Sequence, residues 1–447
     1  MGGKRAIIWE VLLAASAVAL SGAPPWSRPQ QNSGAGCPMA HCNPRMSNLE
    51  LVTPAPLSSG TYIRYHDLTP TAGAGTGLGC SSNGTVAVCS NKNKSGNNIV
   101  AYGSDGTRLW TSGSLLDSNS YASAPIVGTS GGVIAADDMH VIRFGSNGQV
   151  MWNTPTPGGI PISPIQTQAG TIVLSARGGP VSAFDSSTGA LIGSLYIRDN
   201  PDDPNYFDTV NTPCSVGNRI YISTAKQNDP QNTGWLVAID VDETNTASPL
   251  TIAWHFAFGG PSGASPMCYN NTIYFDGNSV NPGDPPSPQA FAVTDNGTTG
   301  TLLWNVSEPA KLIAAFAQDP RGGLWLYPFQ VGTLERHSAQ TGALIETINV
   351  SQLVNDPNFN YPYSAMIIVG TSSKPAMIVG TGDLLKLSSY ILTIDLASHT
   401  TDWIININPT VAVDKLSGQF PIVVDSTGKS VIVTEGTASA AYFIAQP

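Results

Sequence analysis

The sequence predicts an all-β protein, an eight-bladed β-propeller whose blades are four-stranded antiparallel sheets. One pattern returns about eight times: a short strand after a small residue, a Gly or Asn turn, two more strands, a polar turn, and a fourth strand that often ends in Trp. Its first half recurs at 123–138, 162–177, 212–224 and 265–277, and its second half at 100–110, 142–152, 182–193 and 334–346. A period of roughly 40 to 53 residues is typical of propellers and solenoids.

Each unit begins with a strand that is expected to line the ring axis and continues with a second, β-branched or aromatic strand. We expect the inner strands near residues 77–80, 123–127, 162–166, 211–216, 264–269, 313–317, 364–369 and 418–424. We expect the second strands at 85–89, 133–136, 171–175, 219–223, 272–275, 324–327, 376–379 and 430–434.

The last unit has strands at 420–424, 430–434 and 440–445 and lacks a fourth. An isolated strand-like run, TYIRYH, precedes the first full unit at 61–66. A ring of sheets has to close without an open edge, so this N-terminal strand is expected to pair with the last blade. The alternative is a seven-bladed ring, in which the weak unit near 364–404 folds differently.

Composition agrees with this architecture and limits the partners. The 447 residues include 46 Gly and 34 Pro, and only 11% are charged, which is typical of short strands joined by tight turns. The formal net charge of −10 disfavours a nucleic-acid-binding surface.

The N-terminus has the pattern of an export signal. Lys4 and Arg5 precede an apolar run from Ile7 to Leu20, and small residues follow at 21–23. We therefore expect residues 1–23 to be a signal peptide and the mature protein to be secreted, extracellular or periplasmic, with no membrane span after cleavage. Residues 24–60 are rich in Pro, Ser, Gly and Asn and are expected to form an exposed tether, followed by the propeller at 61–447.

Six cysteines in an exported chain suggest disulfides. Cys80 and Cys89 bracket a predicted hairpin, and the starts of two successive inner strands carry one cysteine each. We therefore expect the pairs Cys37–Cys42, Cys80–Cys89 and Cys214–Cys268, the last of which would join adjacent blades.

A second-half block carries a family resemblance. Ala183, Asp185, Thr188 and Gly189 match an Ala-x-Asp-x-x-Thr-Gly-x-x-x-Trp pattern, and Thr341-Gly342 match it again. The Trp position is filled by Trp110, Trp152, Trp254, Trp304 and Trp403. This block resembles the repeat of the pyrroloquinoline-quinone (PQQ) family of propellers. The resemblance implies tryptophans packed between blades, and a family with both quinoprotein dehydrogenases and non-catalytic scaffolds of the cell envelope.

The resemblance implies, for the enzymes, a quinone and Ca²⁺ at the ring axis, an Asp base and, in many members, two adjacent cysteines. This sequence has no Cys-Cys dipeptide and few acids on the predicted inner strands. It also has no His-Glu-x-x-His, phosphate loop or haem-attachment motif. We therefore expect no catalytic residues and no cofactor, with Ca²⁺ as the one exception considered below.

A compact motif, CPMAHCNPRM at 37–46, offers two interpretations. Cys37, His41, Cys42 and Met46 would suit a soft metal such as Cu(I). Alternatively, the two thiols close a small disulfide loop, which would remove them as thiolate ligands.

Long loops at 199–208, 227–232, 278–288 and 355–361 are predicted to lie on one rim of the ring, where function is usually placed. Asp199, Asp202, Asp203 and Asp208 are candidate Ca²⁺ ligands. The rim residues proposed for a protein or glycan partner are Tyr206, Phe207, Asp229, Asp284, Asp356, Phe359 and Tyr361. The alternative is ordinary turn chemistry, for which Asp, Asn and Pro are standard residues.

These observations favour an exported, non-catalytic propeller that binds or scaffolds a partner at the cell surface or in the envelope. Two alternatives stay open. One is a quinone- and Ca²⁺-dependent oxidoreductase, and the other is a structural subunit of a surface layer or filament that assembles through residues 24–60.

Overall fold

The structure is a computed structural model. It describes residues 37–43, 45–50, 52–56, 62–67, 79–90, 99–113, 115–116, 124–209, 211–229, 233–260, 264–269, 271–278, 287–310, 312, 316–357, 361–362, 366–383, 388–407, 422–423, 427–435 and 440–445. The predicted signal peptide and residues 24–36 lie outside the described residues.

The described elements are short strands, with one 3₁₀ turn at Ala40–Cys42 and one short helix. The first strands are β1 (Tyr62–Asp67), β2 (Cys80–Ser82), β3 (Val86–Ser90), β4 (Ile99–Gly103), β5 (Arg108–Thr111), β6 (Ile126–Val127), β7 (Val133–Ala136), β8 (His140–Phe144), β9 (Val150–Pro155), β10 (Ile160–Pro161), β11 (Ile165–Gln166), β12 (Ile172–Leu174), β13 (Ala176–Arg177), β14 (Val181–Phe184) and β15 (Leu191–Leu195). Next come β16 (Phe207–Asp208), β17 (Cys214–Val216), β18 (Arg219–Lys226), β19 (Gly234–Val241), β20 (Leu250–Phe258), β21 (Met267–Tyr269), β22 (Thr272–Asn278), β23 (Pro288–Asp295) and β24 (Gly300–Ser307). The last are β25 (Ala317–Asp319), β26 (Gly323–Leu326), β27 (Thr333–Ser338), β28 (Leu344–Asn349), α1 (Val350–Leu353), β29 (Tyr361–Pro362), β30 (Ile367–Gly370), β31 (Pro375–Asp383), β32 (Ser388–Asp395), β33 (Thr400–Ile407), β34 (Ile422–Val423), β35 (Ser430–Glu435) and β36 (Ala440–Ala445).

Consecutive strands form seven antiparallel blades, as the strand order within each sheet shows. Blade 1 is β2–β5, blade 2 is β6–β9, blade 3 is β11, β12, β14 and β15, blade 4 is β16–β20, blade 5 is β21–β24, blade 6 is β25–β28 and blade 7 is β29–β33. The prediction of an all-β propeller with four-stranded antiparallel blades is confirmed. Seven blades of consecutive strands match the alternative count rather than eight equal units. The weak unit near 364–404 nevertheless folds as blade 7.

One further four-stranded sheet is composite, with the order β1-β36-β35-β34. Strand β1 pairs antiparallel with β36 from Tyr62 opposite Ala445 to Asp67 opposite Ala440, so the N-terminal strand does pair with the last unit. This sheet lies against blade 1, where the ring of Phe443 is 5.1 Å from that of Tyr102. The hydroxyl of Ser430 donates a hydrogen bond to the carbonyl of Ser104 in the same contact. The two ends of the chain thus meet at blade 1.

The tryptophans at the ends of the fourth strands pack between blades, as the resemblance implied. A Cβ on Gly189 of blade 3 would lie 2.6 Å from the ring of Trp152 in blade 2, and one on Gly342 of blade 6 would lie 2.8 Å from Trp304 of blade 5. Both glycines have positive φ, +76° and +70°, in the turn between the third and fourth strands. A residue without a side chain is therefore required twice over, by conformation and by the neighbouring ring.

The three predicted disulfides are all formed. Cys80 and Cys89 face each other across the β2–β3 ladder. Cys214 on β17 and Cys268 on β21 join the inner strands of blades 4 and 5 across 54 residues of sequence. All four of these cysteines are fully buried.

Candidate functional site

The inner strands surround a stretch of the chain's own N-terminal region. This stretch, residues 37–56, is called here the axial segment. The carbonyl groups of Cys37 and Pro38 accept hydrogen bonds from the backbone of β2 and β6, at 2.8 and 2.7 Å. Further along, its carbonyls accept from Cys268 on β21, Gln318 on β25, and Ile368 and Gly370 on β30, at 2.8 Å each, and Ala55 donates to Gly428 at 2.9 Å. The axial segment therefore contacts blades 1, 2, 5, 6 and 7 and the composite sheet.

The side chains of the axial segment are buried as well. Met46 and Asn48 are fully buried, and Met46 belongs to the same apolar cluster as Cys214 and Cys268. The Asn48 amide donates to the Phe316 carbonyl at 2.8 Å, and its side-chain oxygen lies 3.0 Å from Nδ1 of His41. Burial lowers the pKa of His41 to about 4, so this imidazole is neutral at physiological pH.

The expectation of an exposed tether is therefore wrong for residues 37–50. A run rich in Pro, Asn and Ser has the composition of a loop, and composition does not show which other strands satisfy its backbone. Here the inner strands, which have no further neighbour within their own sheets, provide those partners.

Backbone strain is concentrated in the axial segment. His41, Cys42, Met46 and Asn48 all have positive φ, between 48° and 70°. Such conformations cost about 1–3 kcal/mol each for residues other than glycine and persist only where surrounding contacts impose them. The contacts with the inner strands therefore fix this stretch in one conformation.

The motif at 37–46 is closed by the Cys37–Cys42 disulfide. The soft-metal interpretation loses both thiolates, because oxidised sulfurs do not coordinate Cu(I) as thiolates do. His41 is directed to Asn48, and Met46 packs in the apolar core. The motif serves to shape and anchor the axial segment.

The loop at 199–208 meets the turn after β18, as the predicted rim requires. The ammonium of Lys226 forms salt bridges with Asp199 and with Asp203, the latter at 3.0 Å, and the bond to Lys226 lowers the pKa of Asp203. Asp208 accepts hydrogen bonds from the Gly178 amide at 2.8 Å and from Gln227 at 3.0 Å. A lysine thus lies between two of the four aspartates suggested for Ca²⁺, and a calcium ion there stays a prediction.

The aromatic residues of this loop differ in role. Phe207 is 2% exposed and stacks on Trp235 with ring centroids 3.9 Å apart, so it is a core residue and not a rim contact. Tyr206 is half-buried and packs edge-on against Tyr196 at 4.9 Å. Tyr196 is 41% exposed, and the guanidinium of Arg198 lies over its ring at 5.2 Å. Sequence reasoning missed Tyr196, although it stands at the entrance to the same loop.

The other predicted rim residues are only partly described. Asp229 accepts a hydrogen bond from the Thr233 amide at 2.8 Å, which is turn chemistry. Asp356 follows α1, and its amide donates to Ser351 at 3.0 Å. Tyr361 begins β29, whereas Asp284 and Phe359 lie outside the described residues.

The ring of four-stranded blades defines the class of protein, a β-propeller with a filled axis. Residues 57–277 match the family model for the outer membrane protein assembly factor BamB. The chain carries PQQ-like, BamB-type propeller repeats. Comparison with curated proteins finds no significant sequence match. No helix within the described residues is long and apolar enough to cross a membrane.

Solved structures resemble the chain in fold. The computationally designed Ika8 protein aligns with 85% of this chain and 99% of its own, at 12% identity and a TM-score of 0.53. BamB from Moraxella catarrhalis aligns over 89% of this chain and 96% of its own, at 13% identity and 0.45. The quinohemoprotein alcohol dehydrogenase ADHIIG from Pseudomonas putida HK5 aligns over 70% of this chain, at 13% identity and 0.47, and this chain spans 63% of its length.

Proposed function

We propose that this protein is an exported, non-catalytic propeller that binds or scaffolds a partner at the cell surface or in the cell envelope. The observation that carries the proposal is the axial segment. In the quinone enzymes that the repeat resembles, cofactor and Ca²⁺ lie at the ring axis. Here that place holds a strand-like stretch of the chain itself, bonded to the inner strands of five blades and to the composite sheet.

The composite sheet supports a closed ring in this proposal. It lies beside blade 1 through Phe443, Tyr102 and Ser430, and it takes its outer strand from residues 62–67. We propose that it completes the ring as an eighth blade. A closed ring with a filled centre is a rigid support, and its variable loops then provide the surface for a partner.

A titration with pyrroloquinoline quinone and Ca²⁺ tests the absence of catalysis. We expect no chromophore to remain with the purified full chain after gel filtration, because the axial segment occupies the volume that the quinone would need. A quinoprotein dehydrogenase treated in parallel provides the positive control. A stoichiometric bound chromophore, together with alcohol-dependent reduction of a dye, would identify an oxidoreductase and end this proposal.

The loop at 199–208 with the turn at 226–229 is the surface that we propose for the partner. It combines an exposed aromatic, Tyr196, with the half-buried Tyr206, the Arg198 guanidinium and several carboxylates. Aromatic and guanidinium groups are enriched in protein interfaces, and aromatic faces also bind sugars. A protein or glycan partner fits this chemistry.

A paired-variant capture experiment tests that surface. We expect Tyr196→Ser combined with Tyr206→Ser to reduce recovery of a specific partner from an envelope extract by at least about tenfold, the loss typical of two interface aromatics. The control combines Leu344→Ser and Ile345→Ser, which are 55% and 50% exposed on the outer strand of blade 6. Loss of the partner in the control, with retention in the tyrosine variant, would place the interface elsewhere.

The location in the envelope rests on the signal-like N-terminus and on three disulfides, which persist in oxidising compartments. The surface-layer alternative needs residues 24–60 to reach a neighbouring subunit. Residues 37–56 are engaged within their own ring, so that alternative rests on residues 24–36 and 57–60.

A further inference from the structure

A buried cluster between blades 5 and 6 has the donors of a metal site. Glu308 follows β24 in blade 5, and Glu335 and His337 lie on β27 in blade 6. One ligand atom from each of the three lies within 4.8 Å of the others. Within the described residues this is the one group of three or more such side chains with that geometry.

The histidine is oriented for coordination. Nδ1 of His337 lies 2.9 Å from the carbonyl oxygen of Gly342, which can only accept, so Nδ1 carries the proton in this hydrogen bond. Nε2 then faces Oε2 of Glu335 at 3.2 Å. Two donors about 2.0–2.1 Å from a shared tetrahedral ion lie about 3.3 Å apart, which is close to this separation. A backbone carbonyl that fixes the other ring nitrogen is a usual support for a metal-binding histidine.

The carboxylate of Glu308 is buried without compensation. The residue is 7% exposed, and neither carboxylate oxygen accepts a hydrogen bond from an N–H or O–H donor. Asp276 on β22 is 3% exposed and adds a further carboxyl group that interacts with Glu308. A second histidine–carboxylate pair shows the contrast: Glu346, bound to His399 at 2.9 Å, is also paired with Arg336 at 3.0 Å. Nothing comparable balances Glu308, and buried charges are normally paired or bind metals.

The repeat shows that these polar residues replace core residues. Each of the seven consecutive blades has a β-bulge between its third and fourth strands, and His337 stands at that position in blade 6. The corresponding residues in the other six blades are buried and apolar: Tyr102, Phe144, Phe184, Ile239, Val293 and Ile394. Two residues earlier, where blade 6 has Glu335, the others have Val100, Ile142, Ser182, Val237, Phe291 and Leu392. A solely structural role would be served by the apolar residues that the other blades use.

We propose that Glu308, Glu335 and His337 bind a divalent first-row transition metal ion between blades 5 and 6. One imidazole nitrogen with two carboxylates suits Zn²⁺ and Mn²⁺, whereas Ca²⁺ and Mg²⁺ prefer oxygen donors alone. The ion would neutralise the buried carboxylates and join two adjacent blades. The proposal is independent of the partner surface and of the proposed lack of catalysis.

Calorimetric titration of the chelator-treated full chain with Zn²⁺ alone tests the site. We expect one saturable site, tighter for Zn²⁺ than for Mn²⁺ and not occupied by Ca²⁺. Glu308→Gln keeps the side-chain shape, and His337→Phe introduces the residue found at this position in blades 2 and 3. Each should weaken Zn²⁺ binding at least about tenfold. X-ray absorption at the zinc edge should show only nitrogen and oxygen ligands.

His399→Gln is the matched control, because it removes the other histidine–carboxylate pair. It should leave Zn²⁺ affinity and stoichiometry unchanged. No saturable Zn²⁺ site would overturn the proposal, and so would equal weakening by His399→Gln and the two cluster variants. Unchanged binding in both cluster variants would also overturn it, since Zn²⁺ would then lie elsewhere. In the last two cases a proton shared by the carboxyl groups would replace the metal as the occupant of the cluster.

Discussion

Deleting residues 37–56 should prevent the propeller from reaching a stable fold. The axial segment accepts hydrogen bonds from buried backbone amides of β2, β6, β21, β25 and β30. A buried donor left without a partner costs about 1–3 kcal/mol, so five of them outweigh a typical net stability of 5–15 kcal/mol or nearly so. We expect the deleted chain to be recovered only in insoluble form, or to unfold at a much lower urea concentration as measured by circular dichroism.

Two controls separate the axial segment from general effects of truncation. Deletion of residues 24–36 alone should leave the urea midpoint unchanged, since the described contacts begin at Cys37. A synthetic peptide of residues 37–56, with its disulfide oxidised, should restore solubility when added during refolding of the deleted chain. A deleted chain with an unchanged midpoint would show that the ring does not depend on this segment.

A point substitution gives the same test on a smaller scale within this prediction. Asn48→Ala removes the bonds to Phe316 and His41 and places Ala at a φ of +48°. The loss should be about 3–5 kcal/mol, of which about 1 kcal/mol is conformational strain. Asn48→Gly loses the same hydrogen bonds without the strain and should be less destabilised by that 1 kcal/mol. Equal stability of the two variants would exclude the strain contribution.

The fold could be predicted because its signal is repeated. Each blade carries the same small residue, turn and Trp, so one ambiguous unit is supported by its neighbours, and the unpaired strand at 62–67 had one free edge to complete. The pairing of Cys214 with Cys268 followed from the same repeat, because both stand at the start of an inner strand.

The sites could not be predicted to the same degree, because their determinants are contacts between distant residues. The composition of residues 37–50 indicates a loop, and only the positions of the inner strands show that it is buried. Lys226 lies 23 residues beyond Asp203 in the sequence, so its salt bridge was not visible there. His337 looked isolated among scattered histidines, although comparison of the bulge positions in each repeat would have singled it out.

Replacing both Cys214 and Cys268 by Ser should destabilise the protein by about 4 kcal/mol, because this disulfide closes a loop of 54 residues. The matched control is Cys80→Ser with Cys89→Ser, which exchanges two cysteines that are equally buried but closes a separation of only 9 residues. The chain-entropy relation gives a difference of about 1.6 kcal/mol between the two loops. Urea denaturation of both variants measures that difference directly.

The location of the two bonds gives the comparison a second meaning. Cys80–Cys89 lies within one hairpin of blade 1, whereas Cys214–Cys268 ties blade 4 to blade 5 at the edge of the ring axis. If loop length alone acts, the two variants should differ by about 1.6 kcal/mol and keep similar denaturant dependence. If the bond also holds the blades around the axial segment, its loss should make unfolding less cooperative, with a lower denaturant slope in the Cys214 and Cys268 variant alone. Equal midpoints and slopes for both variants would show that the ring is held together by blade packing and the axial segment without this covalent link.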